Sequence, residues 1–338
     1  MQEKHDQNRA GEPFPREFIV PQEYLGSRLD AFVAATLPEC GSREAKRLTA
    51  QGLVTVNGKE RAAHYKLAQG MNVCVMLPVR PEFSPDIPLI AATSSYAAFV
   101  KPAGLHTASI AAGFGSNLED ILRDRWKTQY ASKPFTPSET VRHFGQAAVV
   151  INAIKTLEAS FPASSLPPSA DTLPLSPPVP LSRLDRATSG IVPAAFTPVA
   201  ANAFRKAEKT GNIRKYYLAV VHGSPTGMVI DNALDTDSRT KSRVLPRANT
   251  EATRHTEMFP LAEASFLLSD SPSPLTLVVV RIQRGARHQI RAHLAHVGFP
   301  ILGDDQYGQN DGATALHLHH AQLVAPDFTA FSLPAWLP

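Results

Sequence analysis

Prolines divide this chain into stretches that can and cannot form regular secondary structure. The 338 residues include 29 prolines, and they are clustered. Four lie between Pro78 and Pro88, and seven more lie between Pro162 and Pro180, mixed with serines. Because proline lacks a backbone N–H and fixes φ, neither stretch suits a helix interior or a central strand. The first cluster predicts a linker over about 80–90, and the second an exposed insertion over about 130–180.

The composition limits the class of protein without naming a function. A chain of this length can hold two domains, each with its own core. Hydrophobic residues make up 43% and charged residues 19%, as in an ordinary globular protein, and the net charge of +4 permits a polyanionic partner. Cys40 and Cys74 have neither zinc-motif spacing nor the pattern of a disulfide framework. They favour a reducing compartment and predict a cytoplasmic protein.

Neither a membrane span nor a targeting segment is expected. No apolar run approaches the roughly 18–20 residues that a membrane-spanning helix needs. The polar start of the chain contains Glu3, Asp6 and Glu12, and it has no apolar stretch typical of a signal peptide. Residues 1–15 are therefore predicted to be a disordered tail.

Residues 16–79 have the pattern of a small α/β domain. Apolar residues at helical spacing predict a helix over 28–36, and a second helix is predicted over 43–51 with Ser42 as its N-cap. The Asn57-Gly58 pair predicts a hairpin turn, and residues 72–77 predict the strand that closes the sheet.

The second of these helices carries three cations on one face. Arg43, Lys46 and Arg47 stand at i, i+3 and i+4, so that their side chains are neighbours on the helix surface. Such a face is typical of a surface that binds an RNA backbone. It is equally typical of a solvated helix face, and the spacing alone does not separate the two.

Beyond residue 90 the pattern predicts one α+β domain over 91–338. Strands are predicted over 96–100, 215–221 and 275–282, and helices over 117–127, 147–160, 199–209 and 288–297. Because the strand partners are hairpin-like, the domain is expected to hold a mixed, largely antiparallel sheet flanked by helices rather than a parallel βαβ fold.

The segment with the clearest chemical content is SRLDRATSG, from Ser182 to Gly190. Its one carboxylate, Asp185, stands between two arginines and is followed by a turn of small residues and an apolar strand. Nearby positive charge favours the ionised carboxylate, and an ionised carboxylate held in place can act as a nucleophile or general base. An exposed ion-paired turn is the plainer interpretation, and this segment alone does not decide.

Two later segments add residues suited to the same chemistry. RGARHQIRAHLAHVG, from Arg284 to Gly298, opens a helix whose first N–H groups suit a phosphate or a carboxylate. Arg287 and Arg291 share a face there, so one could reach a phosphate while the other holds a buried carboxylate. The strand RKYYLAVVHG, from Arg214 to Gly223, carries two tyrosines on opposite faces, one of which can point into a site.

Together these segments resemble the RluA-type family of pseudouridine synthases. Ser182 to Gly190 resembles the family's His-Arg-Leu-Asp-x-x-Thr-Ser-Gly, and the strand from Lys215 resembles its Lys-x-Tyr, which selects Tyr217. Its third signature is matched by His288 to Arg291 with Pro300 to Asp304. Lys101 to Leu105 resembles the domain's entry turn, Leu316 to His319 resembles its C-terminal strands, and residues 16–79 are similar to the S-four RNA-binding domain often fused to it.

The resemblance implies isomerisation of uridine to pseudouridine in structured RNA, either rRNA or tRNA. It implies no cofactor, no metal, no membrane and no obligatory protein partner, and a monomer is expected. Asp185 is then the nucleophile, Arg291 its ion-pair partner, and Tyr217 the ring that stacks on the uracil. Substrate contacts are expected from four further residues: Arg183 and Arg287 at phosphates, and Ile301 and Leu302 as an apolar wall against the base.

The chain departs from the family pattern at three places. Ser182 stands where the family has His, and Ala286-Arg287 replaces the usual Arg-Thr pair. Pro193 is expected to interrupt the apolar strand that follows Gly190. These departures put substrate contacts and local geometry in doubt rather than the reaction.

The same sequence has two alternative interpretations. The clustered histidines suggest a metal, but on a helix His288 and His293 lie about 140° apart, and His293 and His296 about 60° apart, so they do not converge. The second alternative is a catalytically inactive RNA-binding or ribosome-assembly factor on the same scaffold. The retention of Asp185, Tyr217 and Arg291 argues against it.

Overall fold

The computed structural model describes residues 14–37, 42–77, 85–108, 117–132, 146–159, 173–238, 241–264, 267, 273–309 and 311–337. These residues fall into two units, 14–77 and 85–337. Most of the predicted tail, the start of the predicted linker and the greater part of the predicted insertion lie outside the described residues. No described helix has both the length and the apolar content that a membrane crossing requires.

The first unit packs two helices on a four-stranded antiparallel sheet. Its elements are α1 (Leu29–Thr36), α2 (Ser42–Ala50), β1 (Phe14–Ile19), β2 (Val54–Val56), β3 (Lys59–Glu60) and β4 (Asn72–Leu77). The strand order is β1-β4-β2-β3. At the predicted hairpin turn, Asn57 and Gly58 have φ of 49° and 75°, the left-handed conformation that such a turn needs. Strand β1 was not predicted, because its residues are mostly exposed and leave little apolar pattern.

The second unit is built on a ten-stranded sheet. Eight strands follow the order β10-β13-β14-β9-β15-β8-β6-β5, while β16 pairs with β15 and β7 with β8. Their bounds are β5 (Leu89–Ala92), β6 (Tyr96–Lys101), β7 (Val179–Pro180), β8 (Ser189–Ala195), β9 (Arg214–His222), β10 (Met228–Ile230), β13 (Thr256–Glu263), β14 (Leu275–Ile282), β15 (Leu318–Ala325) and β16 (Phe328–Phe331). A separate hairpin joins β11 (Asn232–Asp235) and β12 (Arg243–Ala248).

The helices of this unit are α3 (Leu118–Arg125), α4 (Gln146–Glu158), α5 (Pro198–Lys209) and α6 (Gln289–His296). All of the paired strands described are antiparallel except β8 with β15. The predicted α+β class, with its largely antiparallel sheet, is therefore confirmed. Helix α4 lies within the predicted insertion and packs Val150 and Ile154 into the same apolar cluster as Tyr216 and Leu218.

Pro193 does not interrupt the strand after Gly190, contrary to expectation. Strand β8 runs through it, and Pro193 stands opposite Ala98 of β6. The Pro193 carbonyl accepts a hydrogen bond from the Leu181 N–H at 2.8 Å. Strand β15 pairs with β8 only at Ser189 and Gly190, so at Pro193 a missing N–H costs no bond to that neighbour.

One row of residues crosses four adjacent strands at the centre of the sheet. Lys101 of β6 stands opposite Gly190 of β8, Gly190 opposite His320 of β15, and His320 opposite Tyr217 of β9. Gly190 has φ of +113°, and a Cβ on it would lie 2.4 Å from the His320 carbonyl oxygen and 2.5 Å from the His320 nitrogen. Only glycine allows this approach of the two backbones.

We predict that Gly190→Ala destabilises the second unit by about 3 kcal/mol or more, because it adds a backbone clash to an unfavourable φ. The matched control is Gly298→Ala, at a φ of +88° with no atom within 4 Å of the added Cβ. That variant should cost only about 1 kcal/mol. Urea unfolding of the two variants measures the difference, and equal losses would mean that the sheet absorbs the added methyl.

Candidate active site

Asp185 lies in a turn that is fixed on both sides. Its carbonyl accepts a hydrogen bond from the Thr188 N–H at 3.1 Å. The preceding residue, Leu184, exchanges two hydrogen bonds with the Thr107 hydroxyl, at 3.0 and 3.1 Å. The Asp185 side chain retains 24% of its exposure. The carboxylate is thus held in place while still open to a substrate.

Arg291 faces this carboxylate, as predicted. Its Nη1 lies 3.7 Å from Asp185 Oδ2. Its other nitrogens form a two-pronged contact with Asp304, in which Nε donates to Oδ2 at 2.8 Å and Nη2 to Oδ1 at 2.7 Å. The guanidinium also lies over the Tyr307 ring, with its central carbon 5.3 Å from the ring centroid. The fork locks the guanidinium plane and leaves Nη1 directed at Asp185.

Asp304 is fully buried and was missed as a site residue by sequence reasoning. Burial alone would raise its pKa, but the Arg291 hydrogen bonds and the Gln306 and Tyr307 N–H groups lower the pKa below its ordinary value. Each N–H donates to Oδ1 at 3.0 Å. Asp304 therefore stays ionised and anchors Arg291. Its place in the Pro300 to Asp304 motif was the available signal.

His288 and Tyr307 complete the surroundings of the carboxylate, and neither was predicted as a site residue. His288 is the N-terminal cap residue of α6, with φ of 54°. Its Nε2 lies 3.8 Å from Asp185 Oδ1, and its Nδ1 lies 3.1 Å from the Tyr307 hydroxyl. Burial lowers the pKa of His288 despite the nearby Asp185 charge. The imidazole is thus kept neutral at pH 7. Of the two groups that face Asp185, His288 and Arg291, Arg291 is therefore the one that carries a full positive charge.

Lys101 connects the entry turn, residues 101–105, to the Asp185 turn by hydrogen bonds. Its side chain is fully buried, and Nζ donates to the carbonyls of Pro102 at 2.9 Å, Leu105 at 2.8 Å and Arg186 at 3.4 Å. Burial lowers the Lys101 pKa to about 7, although the Asp185 charge acts in the opposite direction. The turn was predicted from the sequence, but this function of its first residue was not.

The two tyrosines of β9 point to opposite faces, as predicted. Tyr216 donates to Glu158 of α4 on one side, and Tyr217 enters the cluster that contains Leu184 and Ile290 on the other. Burial raises the pKa of Tyr217, and the Asp185 charge raises it further. Within the described residues its hydroxyl has no hydrogen-bond partner. Tyr217 thus brings a neutral phenol to the surroundings of Asp185.

The arginines that flank Asp185 in sequence do not pair with it. Arg183 is exposed, and Arg186 donates from Nε to the Gly104 carbonyl at 3.0 Å. The positive charge comes instead from Arg291, a residue distant in sequence.

The structure shows the surroundings of the other expected substrate contacts. Arg287 donates from Nη2 to the carbonyls of Thr236 and Ser238, so its guanidinium contacts the β11–β12 connection, and its contact with a phosphate stays a prediction. Leu302 is 1% exposed and packs with Leu218 and other residues in the cluster on the Tyr216 side of the sheet. Its contact with a base at Tyr217 stays a prediction. Ile301 lies in the Tyr217 cluster, but it is fully buried.

The predicted basic face of α2 is only partly exposed. Lys46 is exposed, whereas Arg47 is 7% exposed. The Arg43 side chain lies outside the described residues. Arg47 is buried because it lies, like its neighbour Leu48, on the side of α2 that faces the core of this unit.

Across the residues that the structure describes, no three His, Cys, Asp or Glu side chains are grouped so that they could hold a metal ion. Two of the histidines that suggested a metal, His288 and His293, instead form separate hydrogen bonds with other groups. His293, for example, pairs with the Thr256 hydroxyl at 2.8 Å and the Asn232 carbonyl at 3.0 Å.

The chain belongs to the RNA pseudouridylate synthase family, whose model matches residues 95–296. This range contains Asp185, Tyr217 and Arg291. The RluA-type resemblance is thereby confirmed, and the chain is an enzyme of the RNA pseudouridine synthase class.

Curated relatives agree with this assignment. The chain is 31% identical over 153 residues to the uncharacterised RNA pseudouridine synthase YjbO of Bacillus subtilis, an alignment covering 43% of this chain and 50% of that protein. It is 27% identical over 308 residues to an uncharacterised RNA pseudouridine synthase of Chloroflexus aurantiacus, covering 90% and 81% of the two chains. It is 28% identical over 324 residues to ribosomal large subunit pseudouridine synthase C of Vibrio cholerae, covering 92% and 89%.

We predict that Asp304→Asn lowers both stability and turnover. Removing one charge of a buried pair leaves the other uncompensated, which should cost about 3 to 5 kcal/mol. Release of the guanidinium should also slow turnover about 10- to 100-fold, because Arg291 loses its fixed direction. Unfolding by urea and turnover on RNA measure the two effects.

Asp305→Asn is the matched control. Asp305 Oδ1 also lies near Arg291, at 3.6 Å, but its side chain is 94% exposed. This variant should change stability by less than about 0.5 kcal/mol. If Asp304→Asn were as stable and as active as Asp305→Asn, the fork would not be what orients Arg291.

Proposed function

We propose that this protein isomerises specific uridines of ribosomal RNA to pseudouridine, with the Asp185 carboxylate as nucleophile. The observation that carries the proposal is the alignment of Arg291, which Asp304 locks while Nη1 lies 3.7 Å from Asp185. Ribosomal RNA is favoured as the substrate because relatives that align along most of this chain are ribosomal large subunit pseudouridine synthases by name.

The reaction is an isomerisation that balances without a co-reactant. The bond from the sugar C1′ to uracil N1 breaks, and a bond from C1′ to C5 forms. The C5 proton leaves, and N1 gains a proton. Because no electron pair is lost to an acceptor and no water is added, the chain's own groups suffice and no cofactor is invoked. Attack by Asp185 on the sugar, attack on the base and abstraction of a sugar proton are alternative forms of this catalysis.

Arg291 and His288 have different functions around the carboxylate. The permanent charge of Arg291 faces the Asp185 carboxylate, with Nη1 3.7 Å from Oδ2, and fixes its direction. His288, kept neutral by its lowered pKa, borders the carboxylate without competing as a second cation. The Asp185 carboxylate thus faces one permanent cation and is still free to form a bond.

Tyr217 is suited to hold the uracil and to assist proton transfer. Its ring offers a face for stacking, and its raised pKa keeps the hydroxyl protonated at pH 7. Such a phenol can hydrogen-bond to a detached uracil and relay the proton that leaves C5. Paired RNA hides its base edges, so the target uridine must first turn out of its stack to reach this position.

We predict that Asp185→Asn lowers turnover on the order of 1,000-fold or more, because an amide keeps the shape but lacks the nucleophilic charge. The assay uses ribosomal RNA transcribed with tritium at uracil C5, which the reaction releases to water. RNA affinity and unfolding temperature of the variant should stay near those of the wild type.

The outcomes separate the possible explanations. Near-normal tritium release by Asp185→Asn would show that Asp185 is not the nucleophile. A wild-type protein that binds ribosomal RNA and releases no tritium would instead identify an inactive RNA-binding factor. Tritium release from transfer RNA but not from ribosomal RNA would support the proposed reaction and show that the substrate is transfer RNA.

We further propose that residues 14–77 bind the RNA backbone. This unit exposes several cations, namely Lys46, Lys59, Arg61 and Lys66. It also has the two-helix and hairpin composition of the S-four domain that it resembles. Such contacts contribute affinity without reading sequence, since phosphates are the same in every RNA.

We predict that Lys46→Ala lowers the salt dependence of RNA binding, with a log–log slope smaller by about 0.7 to 1, because one fewer counterion is released. Lys209→Ala removes an equally exposed charge from α5 of the second unit and serves as the control. Filter binding over a range of salt concentrations measures both slopes. Equal slopes for Lys46→Ala and wild type would mean that Lys46 belongs to a solvated surface.

A further inference from the structure

His320 is a fully buried histidine in contact with the site, and the mechanism above gives it no function. Its ring lies parallel to that of Tyr217, with centroids 4.6 Å apart and an angle of 15° between the planes. One face of the Tyr217 ring is therefore covered by protein. A uracil that stacks on this tyrosine has only the other face available.

The orientation of the His320 ring is fixed by one hydrogen bond. Its Nδ1 lies 2.6 Å from the Ile191 carbonyl of β8, and since a carbonyl only accepts, Nδ1 carries the proton. The opposite nitrogen, Nε2, is buried without a hydrogen-bond partner among the described residues. Burial lowers the pKa of His320 to about 3, so the ring stays neutral throughout the physiological range.

The backbone of His320 joins the two parts of the site. It stands opposite Gly190, the last residue of the Asp185 segment, and opposite Tyr217. The register of β15 against β9 shifts between His320 and Gln322. Such bulges redirect a side chain beside a functional site. The strand is therefore irregular at the residue whose ring packs on Tyr217.

Packing sets the position of the Tyr217 ring, since no described residue hydrogen-bonds to its hydroxyl. The stacked imidazole is the parallel surface against which that ring rests. Ile191, Gly190 and Tyr217 all contact or oppose His320, so a movement of this imidazole would shift the tyrosine relative to the Asp185 segment.

We propose that His320 is a positioning residue for this reaction, whose imidazole ring supports one face of Tyr217 and holds the other face toward the uracil. The proposal rests on the proposed function and extends it to a residue outside the segments that match the family signatures around Asp185, Tyr217 and Arg291. His320 acts through Tyr217 and touches no reacting atom.

The test separates the stacked ring from the hydrogen bond. His320→Asn keeps a donor near Nδ1 and removes the ring, whereas His320→Phe keeps a stacked ring and removes the donor. We expect His320→Asn to lower kcat about 10- to 100-fold with KM within about threefold, because a bound substrate meets a misplaced tyrosine. His320→Phe should keep kcat within about threefold of wild type even if its unfolding temperature falls.

His319→Asn is the matched control. His319 is 2% exposed on the same strand, and its Nδ1 pairs with the Ser189 hydroxyl at 2.9 Å. This variant should lose stability without the fall in kcat. All rates are measured well below the unfolding temperature of each variant, with tritium release as the readout. If His320→Asn does not fold, His320→Leu fills the space without an aromatic face and is expected to show the same loss of kcat.

Three results would overturn the proposal. These are an unchanged kcat in the variants that lack the ring, an equal loss in His319→Asn, and a loss in His320→Phe as large as in His320→Asn. If the wild-type protein is active and the variants that lack the ring have the same kcat, only the inference about His320 is contradicted. A wild-type protein with no turnover on any RNA contradicts the proposed function as well.

Discussion

The buried ion pair of Arg291 with Asp304 is the interaction on which the site depends. Removing both charges from water is costly, and the cost is offset only while the two-pronged geometry and the N–H groups of Gln306 and Tyr307 are in place. That requirement fixes α6 and the following loop relative to each other. The remaining nitrogen of Arg291 then has one direction, toward Asp185. The same pair thus provides local rigidity and a charge directed at the carboxylate.

The second constraint is the row that runs from Lys101 through Gly190 and His320 to Tyr217. Lys101 joins the entry turn, through the carbonyls of Pro102 and Leu105, to the Asp185 turn, through the carbonyl of Arg186, and His320 supports Tyr217 through its ring. The strand that completes the row, β15, comes late in the chain and inserts between β8 and β9. The site is therefore assembled by contacts between residues far apart in sequence, and it depends on a glycine that lets two backbones meet.

The local sequence pattern predicted the helices, strands and turns well, but it predicted the contacts and burial of charged side chains poorly. The Asn57-Gly58 turn, strand β14 and the opposite orientation of the two β9 tyrosines follow from local rules of turn geometry and alternation. The partners of Arg287, the burial of Arg47 and the passage of β8 through Pro193 depend on which segment lies alongside. These outcomes depend on how each segment packs in the folded chain, so no local rule could identify them.

From its sequence alone, this chain was identified as a two-domain α+β protein with Asp185, Tyr217 and Arg291 as candidate site residues. The fold class depends on residue type and spacing, which are local properties, whereas the choice of Tyr217 and the pairing of Arg291 with Asp185 were implied by the resemblance to the RluA-type family. Only the tertiary structure decided that the flanking arginines do not pair with Asp185, that Asp304 locks Arg291, and that His320 covers one face of Tyr217. The physical reason is that burial and charge pairing are set by groups brought together from distant parts of the chain, and their energies depend on that shared environment.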